Sequence, residues 1–240
     1  MSNQTFRSLH QGTTPLLLPN AWDAGSARLI ENLGAKAIAT TSAGVSWSRG
    51  YPDGDALPAE QLVAAARDFG GLNLLVNNAS EFQPDEIGDL DRDRFDRHFA
   101  VNLRAPLFLA QVFAAQAPAG GSIVNVLDQR VYRPTPRFLS YGLAKSGLYV
   151  ATTTLAQALA PHLRVNAVAP GPTLRNAWQD DDAFARRSAA MPLGHGPTPE
   201  EVADAVLFLA RANNITGETI AVDGGQHIVW HGVPGASHEE

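Results

Sequence analysis

From end to end the chain alternates short apolar runs with longer stretches whose apolar residues recur at helical spacing. The fold that accommodates this pattern is a parallel sheet covered by helices. The runs Pro15–Pro19, Ala35–Thr41, Leu72–Asn77, Gly121–Leu127, Leu163–Ala169 and Glu218–Val222 read as strands. Between them, one helix starts after Asn20 with Asp23 able to cap it and stops at Gly34, and a second spans about Pro58 to Asp68. Arg92–Gln116 carries Phe95, Phe99, Leu103, Leu107 and Val112 at helical spacing, and Pro106 should bend it because proline removes a backbone donor. Tyr141–Ala160 repeats Leu148, Leu155 and Leu159 in the same way. A last helix follows Thr198-Pro-Glu-Glu201, which supplies an N-cap, a proline at the first position and acids in the first turn. The expected architecture is a three-layer α/β sandwich with a Rossmann-like parallel sheet of about six strands, built as a single domain over 1–240.

Composition narrows the function classes. The 240 residues include no cysteine, which excludes a disulfide framework, thiolate catalysis and Cys-ligated metal. Acidic side chains outnumber basic ones 24 to 18, and no lysine-rich run appears, so a nucleic-acid partner is not expected. Met1–Arg7 does not open a signal peptide, and Ala105–Ala119, broken by Gln111 and Gln116, falls short of a membrane span. These readings place the protein in the cytoplasm, away from membranes. The Gly- and Pro-rich stretches Ser46–Pro58 and Pro170–Pro199 are expected to be mobile connections. The seven histidines show no metal-ligand spacing, so no metal site is expected, and Asp180-Asp181-Asp182 reads as a helix start.

The residues best placed for chemistry are Asp128, Tyr141 and Lys145, with Asn102 upstream. Tyr141 and Lys145 stand four apart on a helix and so share a face. A phenol with an ordinary pKa of about 10 is a poor proton shuttle at neutral pH unless a cation favours its phenolate, and Lys145 is placed to supply one. Asp128 follows the apolar run 122–127, at the carboxyl end of a strand, where open α/β sheets hold ligands. The alternative for Asp128 is a turn cap. Arg130 and Arg133 either hold an anionic or aromatic substrate or are surface charges, and Trp178 and Met191, in the long connection before the last helix, either cover a substrate or make a loose hydrophobic contact.

From about Leu62 to Ile228 these motifs, in this order, resemble the short-chain dehydrogenase/reductase family. Leu75-Val-Asn-Asn-Ala-Ser80 resembles the strand-end motif beside the cofactor's adenosine, which implies cofactor contacts at Asn77, Asn78 and Ala79. Asn102 matches the asparagine that holds a water in the family's proton relay, and Tyr141-Gly-Leu-Ala-Lys145 matches its catalytic pair, with Lys145 also touching cofactor. Val165-Asn-Ala-Val-Ala-Pro-Gly171 followed by Thr173 resembles the nicotinamide-contacting segment, implying roles for Pro170, Gly171 and Thr173. Residues 215–225 resemble the family's final strand. Asp128 replaces the usual serine, and the run Asp128–Pro136 is similar to the pteridine-reductase branch. That branch implies NAD(H) or NADP(H) as cofactor, a pterin as small-molecule substrate, and hydride transfer with proton donation by Tyr141 and Asp128. The family's habit of pairing its long helices implies a homo-oligomer.

The beginning of the chain departs from this family. No Thr-Gly-x-x-x-Gly-x-Gly fingerprint is present to bring backbone N–H groups against a pyrophosphate. Residues 18–27, 39–44 and 50–54 instead resemble the first units of the isocitrate lyase/phosphoenolpyruvate mutase barrels, without the acidic metal loop that should follow. The expectation is a chimera, natural or engineered, of a barrel-derived fragment over about 1–60 and a short-chain reductase part over 61–240, joined between about Pro58 and Arg67, with the grafted strands beside Leu72–Asn77. Two rival functions follow from that origin: a recombined scaffold with no catalytic activity, and a lyase or mutase activity.

Overall fold

A computed structural model describes residues 20–21, 39–40, 72–176 and 179–229. The chain divides into two compact units, Met1–Leu72 and Asn73–Glu240. In the first, β1 (Asn20–Ala21) pairs in parallel with β2 (Ala39–Thr40). The expected strand Pro15–Pro19, the helices after Asn20 and Pro58, the residue Asp23, the soft stretch Ser46–Pro58 and the proposed junction all lie outside the described residues.

The second unit holds a four-stranded parallel sheet of β3 (Leu74–Asn77), β4 (Gly121–Val126), β5 (Leu163–Pro170) and β6 (Thr219–Val222), ordered as in the sequence. Leu74 stands opposite Ser122, Ser122 opposite Arg164, and Ala167 opposite Thr219. Sheet period then sorts the side chains onto two faces. Val124 and Val168 pack with Leu74, Val126 and Ile220 against Val206 and Leu209 of the helix α5 (Pro199–Arg211). On the opposite face Ala167 and Ala169 pack with Leu127 against Leu148 of α3 (Leu139–Leu159). Helices on both sides of a parallel sheet form the expected three layers.

The ends of α5 match its sequence signals. Thr198 Oγ1 accepts from the Glu201 amide while the Glu201 carboxylate accepts from the Thr198 amide, a complete capping box. At the other end the Arg164 guanidinium donates to the carbonyls of Leu209, Ala210 and Ala212 at 2.8, 2.7 and 3.0 Å.

Arg92–Gln116 departs from a simple proline bend. It becomes α1 (Arg92–Phe99), a π-helical segment over Ala100–Arg104, and α2 (Ala105–Ala114). Pro106 has no N–H to offer the Asn102 carbonyl four residues back, and the irregularity sits just upstream, where the Ala105 amide bonds five residues back to Ala100. The connection 170–199 is likewise not one long loop, because it contains α4 (Asp181–Ala189), capped by Asp180, whose carboxylate accepts from the Ala183 amide. No helix among the described residues is long and apolar enough to cross a membrane.

Candidate active site

Because β3 to β6 run parallel, their carboxyl ends share one edge of the sheet, and several of the sequence-predicted residues gather there. Asp128 follows β4 and does two things at once. One carboxylate oxygen, Oδ1, accepts from the Arg130 amide at 2.8 Å and caps the short helical turn Gln129–Val131. The other, Oδ2, accepts the Tyr141 hydroxyl at 2.9 Å and a guanidinium N–H of Arg130 at 2.9 Å. The turn-cap reading is therefore met, and the same carboxylate also contacts Tyr141 and Arg130.

Tyr141 and Lys145 lie on one face of α3 and are both buried. The Lys145 ammonium sits 5.9 Å from the Tyr141 ring centre and donates to the Val126 carbonyl at 2.8 Å. Burial pushes its pKa down to about 8, with Asp128 pulling the other way. The phenol differs from the expectation of a favoured phenolate. Burial first, then the Asp128 charge and hydrogen bond, hold the Tyr141 pKa well above its ordinary value, opposed by Arg130 and the Ser80 hydroxyl. Asp128 lies in direct contact with the hydroxyl, whereas the ammonium is turned toward Val126. Tyr141 is thus a protonated acid at neutral pH.

Asn102 is fully buried within the π-helical segment. Its Oδ1 accepts from the Ser80 hydroxyl at 2.9 Å and the Glu81 amide at 3.2 Å, while Nδ2 donates to the Glu81 carbonyl at 2.9 Å. In this arrangement it pins the loop after β3. The same loop reaches α3 through Asp85, whose buried carboxylate accepts from the Ser140 amide at 3.1 Å and from the Ser140 hydroxyl. The chain enters α3 through Phe138 at φ 61°, a left-handed conformation that costs a non-glycine residue about 1–2 kcal/mol. Phe138 stacks on Phe82 at 4.5 Å, and the Arg130 guanidinium lies 5.0 Å from its ring centre.

The cofactor residues implied by resemblance are not all brought together. Asn77 is buried and donates to Asn125 at 2.8 Å, leaving its Oδ1 without a partner among the described residues. Asn78 and Ala79 are exposed. Pro170 ends β5, and a side chain on Gly171 would meet the Asp223 backbone at 2.8 Å, so that approach requires glycine. The Thr173 hydroxyl donates to the Gly171 carbonyl at 3.0 Å.

A cleft of about 260 Å³ opens on these groups. Asp128, Tyr141, Gly171 and Thr173 line it, while Asn77, Asn78, Ala79, Asn102, Lys145 and Pro170 are not among its lining residues. Several lining residues carry no role from the sequence: Phe82, Gln226 and Arg187 lie outside the sequence motifs, and Ser80 and Gln129 lie inside motifs that assign them none. Gln129 and Gln226 each keep a buried side-chain oxygen without a partner among the described residues. Only the helical register of α4 brings Arg187 to the cleft. Arg133 is not in the wall and reaches the Gln226 carbonyl at 3.5 Å. Met191 is buried, and Trp178 lies outside the described residues.

Comparison with known proteins identifies the family. A family model described as enoyl-(acyl carrier protein) reductase matches residues 55–227. Galactitol 2-dehydrogenase of Agrobacterium fabrum is 34% identical over 182 residues, covering 68% of this chain and 71% of that protein. The chain belongs to the short-chain dehydrogenase/reductase family. FixR of Bradyrhizobium diazoefficiens is 40% identical over 168 residues, 65% of this chain and 60% of its own length, so the match spans less than two thirds of that protein. Among solved structures, FolM alternative dihydrofolate reductase 1 from Brucella suis in complex with NADP matches with a TM-score of 0.75 and 41% identity, covering 88% of this chain and 83% of that one. A phosphoenolpyruvate phosphomutase model also matches, over residues 6–77.

Proposed function

We propose that this family member is a nicotinamide-dependent reductase of the pteridine type, acting on a C=N bond of a pterin. The observation that carries the reading is the 2.9 Å hydrogen bond from the Tyr141 hydroxyl to Asp128 at the end of β4. A carboxylate in place of the family's usual serine couples a second titratable group to the phenol, which suits protonation of a nitrogen. The likeness to a FolM alternative dihydrofolate reductase supports the same assignment.

The residues present fit the nicotinamide end of a dinucleotide. The buried Lys145 ammonium shows one hydrogen bond, to Val126, and an ammonium has three donors, so it suits a sugar with vicinal hydroxyls. Lys145, Thr173 and the backbone at Gly171 would hold that end. When bound, such a cofactor supplies the hydride. This chain's own part is to donate a proton from Tyr141, hold it in register through Asp128, and lay the flat substrate near Phe82. Gln129 and Gln226 line the same cleft, and side-chain amides of this kind suit the amino and amide N–H groups of a pterin ring. The exposure of Phe108 on α2 and of Leu143 and Val150 on α3 supports association with a second copy.

Mixing the purified chain with NADPH and a dihydropterin should consume NADPH. Tyr141→Phe should reduce the rate by about 10²-fold or more, the usual contribution of a general acid. A second reading, a recombined fold without activity, draws on the missing glycine fingerprint and on the phosphomutase match over residues 6–77. It prevails if no NADPH is consumed and NADPH produces no thermal shift.

A further inference from the structure

The charges lining the cleft do not balance. Three arginines, Arg130, Arg175 and Arg187, face a single carboxylate, Asp128, in a chain whose formal net charge is −6. Asp128 is already engaged by Arg130 and Tyr141. Arg175 pairs with Asp181 at 3.0 Å and donates to the Gln179 carbonyl at 2.7 Å. Arg187 is half-buried, and no hydrogen bond or ion pair ties it to any of the described residues. Burial, and next the nearby charge of Arg130, lower its pKa, while Asp128 opposes them. A role at the carboxyl end of α4 does not account for its place, because Arg186 on the same turn stays exposed and offers the helix end the same charge. A partly desolvated guanidinium beside another cation is costly unless an anion joins them, and its planar donors match an oxyanion.

We infer that Arg187, with Arg130 lining the same cleft, forms an oxyanion subsite that selects a ligand bearing a carboxylate or phosphate group. This deepens the reading of the cleft as a reductase pocket and rests on it. The oxyanion has two sources, a carboxylate on an acidic pterin or the phosphates of the dinucleotide.

Equilibrium titration of the full chain and of Arg187→Gln, Arg187→Lys and Arg186→Gln separates them, with folic acid, neutral 6-hydroxymethylpterin, NADPH and inorganic pyrophosphate as probes. Loss of a charge-assisted contact should weaken the relevant probe by about tenfold or more in Arg187→Gln, with partial recovery in Arg187→Lys and none of this in Arg186→Gln. If folic acid alone weakens while 6-hydroxymethylpterin holds, the anion belongs to the substrate. If NADPH and pyrophosphate weaken together, it belongs to the cofactor. Folic acid, NADPH and pyrophosphate all binding Arg187→Gln within about twofold of the unsubstituted chain overturns the subsite, as does an unsubstituted chain that binds none of the three. Should that chain bind NADPH but neither pterin, the pterin reading falls while the NADPH and pyrophosphate arms still decide the role of Arg187.

Discussion

Two side chains of α3 pull the site in opposite energetic directions. Tyr141 is held neutral by burial and by Asp128. Lys145 carries its charge into the interior, where its pKa falls from 10.5 to about 8, a difference worth about 3 kcal/mol. The folded protein gives up this proton before the unfolded chain does. The cost is therefore present in full below about pH 8 and fades between about 8 and 10.5. Denaturant titrations of the unsubstituted chain and Lys145→Met should show their stability difference shifting toward the unsubstituted chain as pH rises through that window. A difference that stays flat would mean that Lys145 is not a buried cation. Spacing alone identifies the Tyr141–Lys145 pair, since four residues on a helix share a face. It does not reveal that burial, reinforced by Asp128 thirteen residues upstream, holds the phenol neutral, because both depend on where a strand end meets a helix start.

Local sequence is most informative at helix ends. The Thr198-Pro-Glu-Glu201 signal reads directly as the capping box of α5, since every partner lies within one turn. Thr198→Ala removes one side of it and should cost about 1 kcal/mol, or about 2–4 °C in Tm for a chain of this size, as measured by calorimetry. An unchanged Tm would show that packing of Val206 and Leu209 alone holds the helix. The break in the long helix was less legible. Pro106 marks it, but the altered backbone pattern falls at Ala100–Arg104, and the side chain it places, Asn102, binds a loop some twenty residues away in sequence. Arg187 was illegible for a related reason: a Gly- and Pro-rich connection gives no hint that a short helix inside it turns one of two adjacent arginines toward the cleft.

At the scale of the molecule, the alternating pattern predicts the parallel sheet and its covering helices over 73–229, because that pattern is the burial requirement itself. The beginning of the chain reads differently, and the missing glycine fingerprint has a measurable consequence. Each backbone contact to phosphate that is lost removes a charge-assisted hydrogen bond worth about 1.5–3 kcal/mol. NADPH should therefore bind with a Kd about tenfold or more weaker than it does to a relative that keeps the fingerprint, by fluorescence titration under matched salt. Equal affinity would mean that other groups hold the phosphates. The strand ends share one edge of the sheet, and Ser80, Asp128, Gly171 and Gln226 each follow a different strand. Substrate choice is thereby separated from the packed layers beneath. A mutant library confined to the exposed positions of those four connections, with Gly171 and Asp85 kept, would sample new reactivities while the packed layers stay constant, so the same chain can serve as a starting point for laboratory evolution.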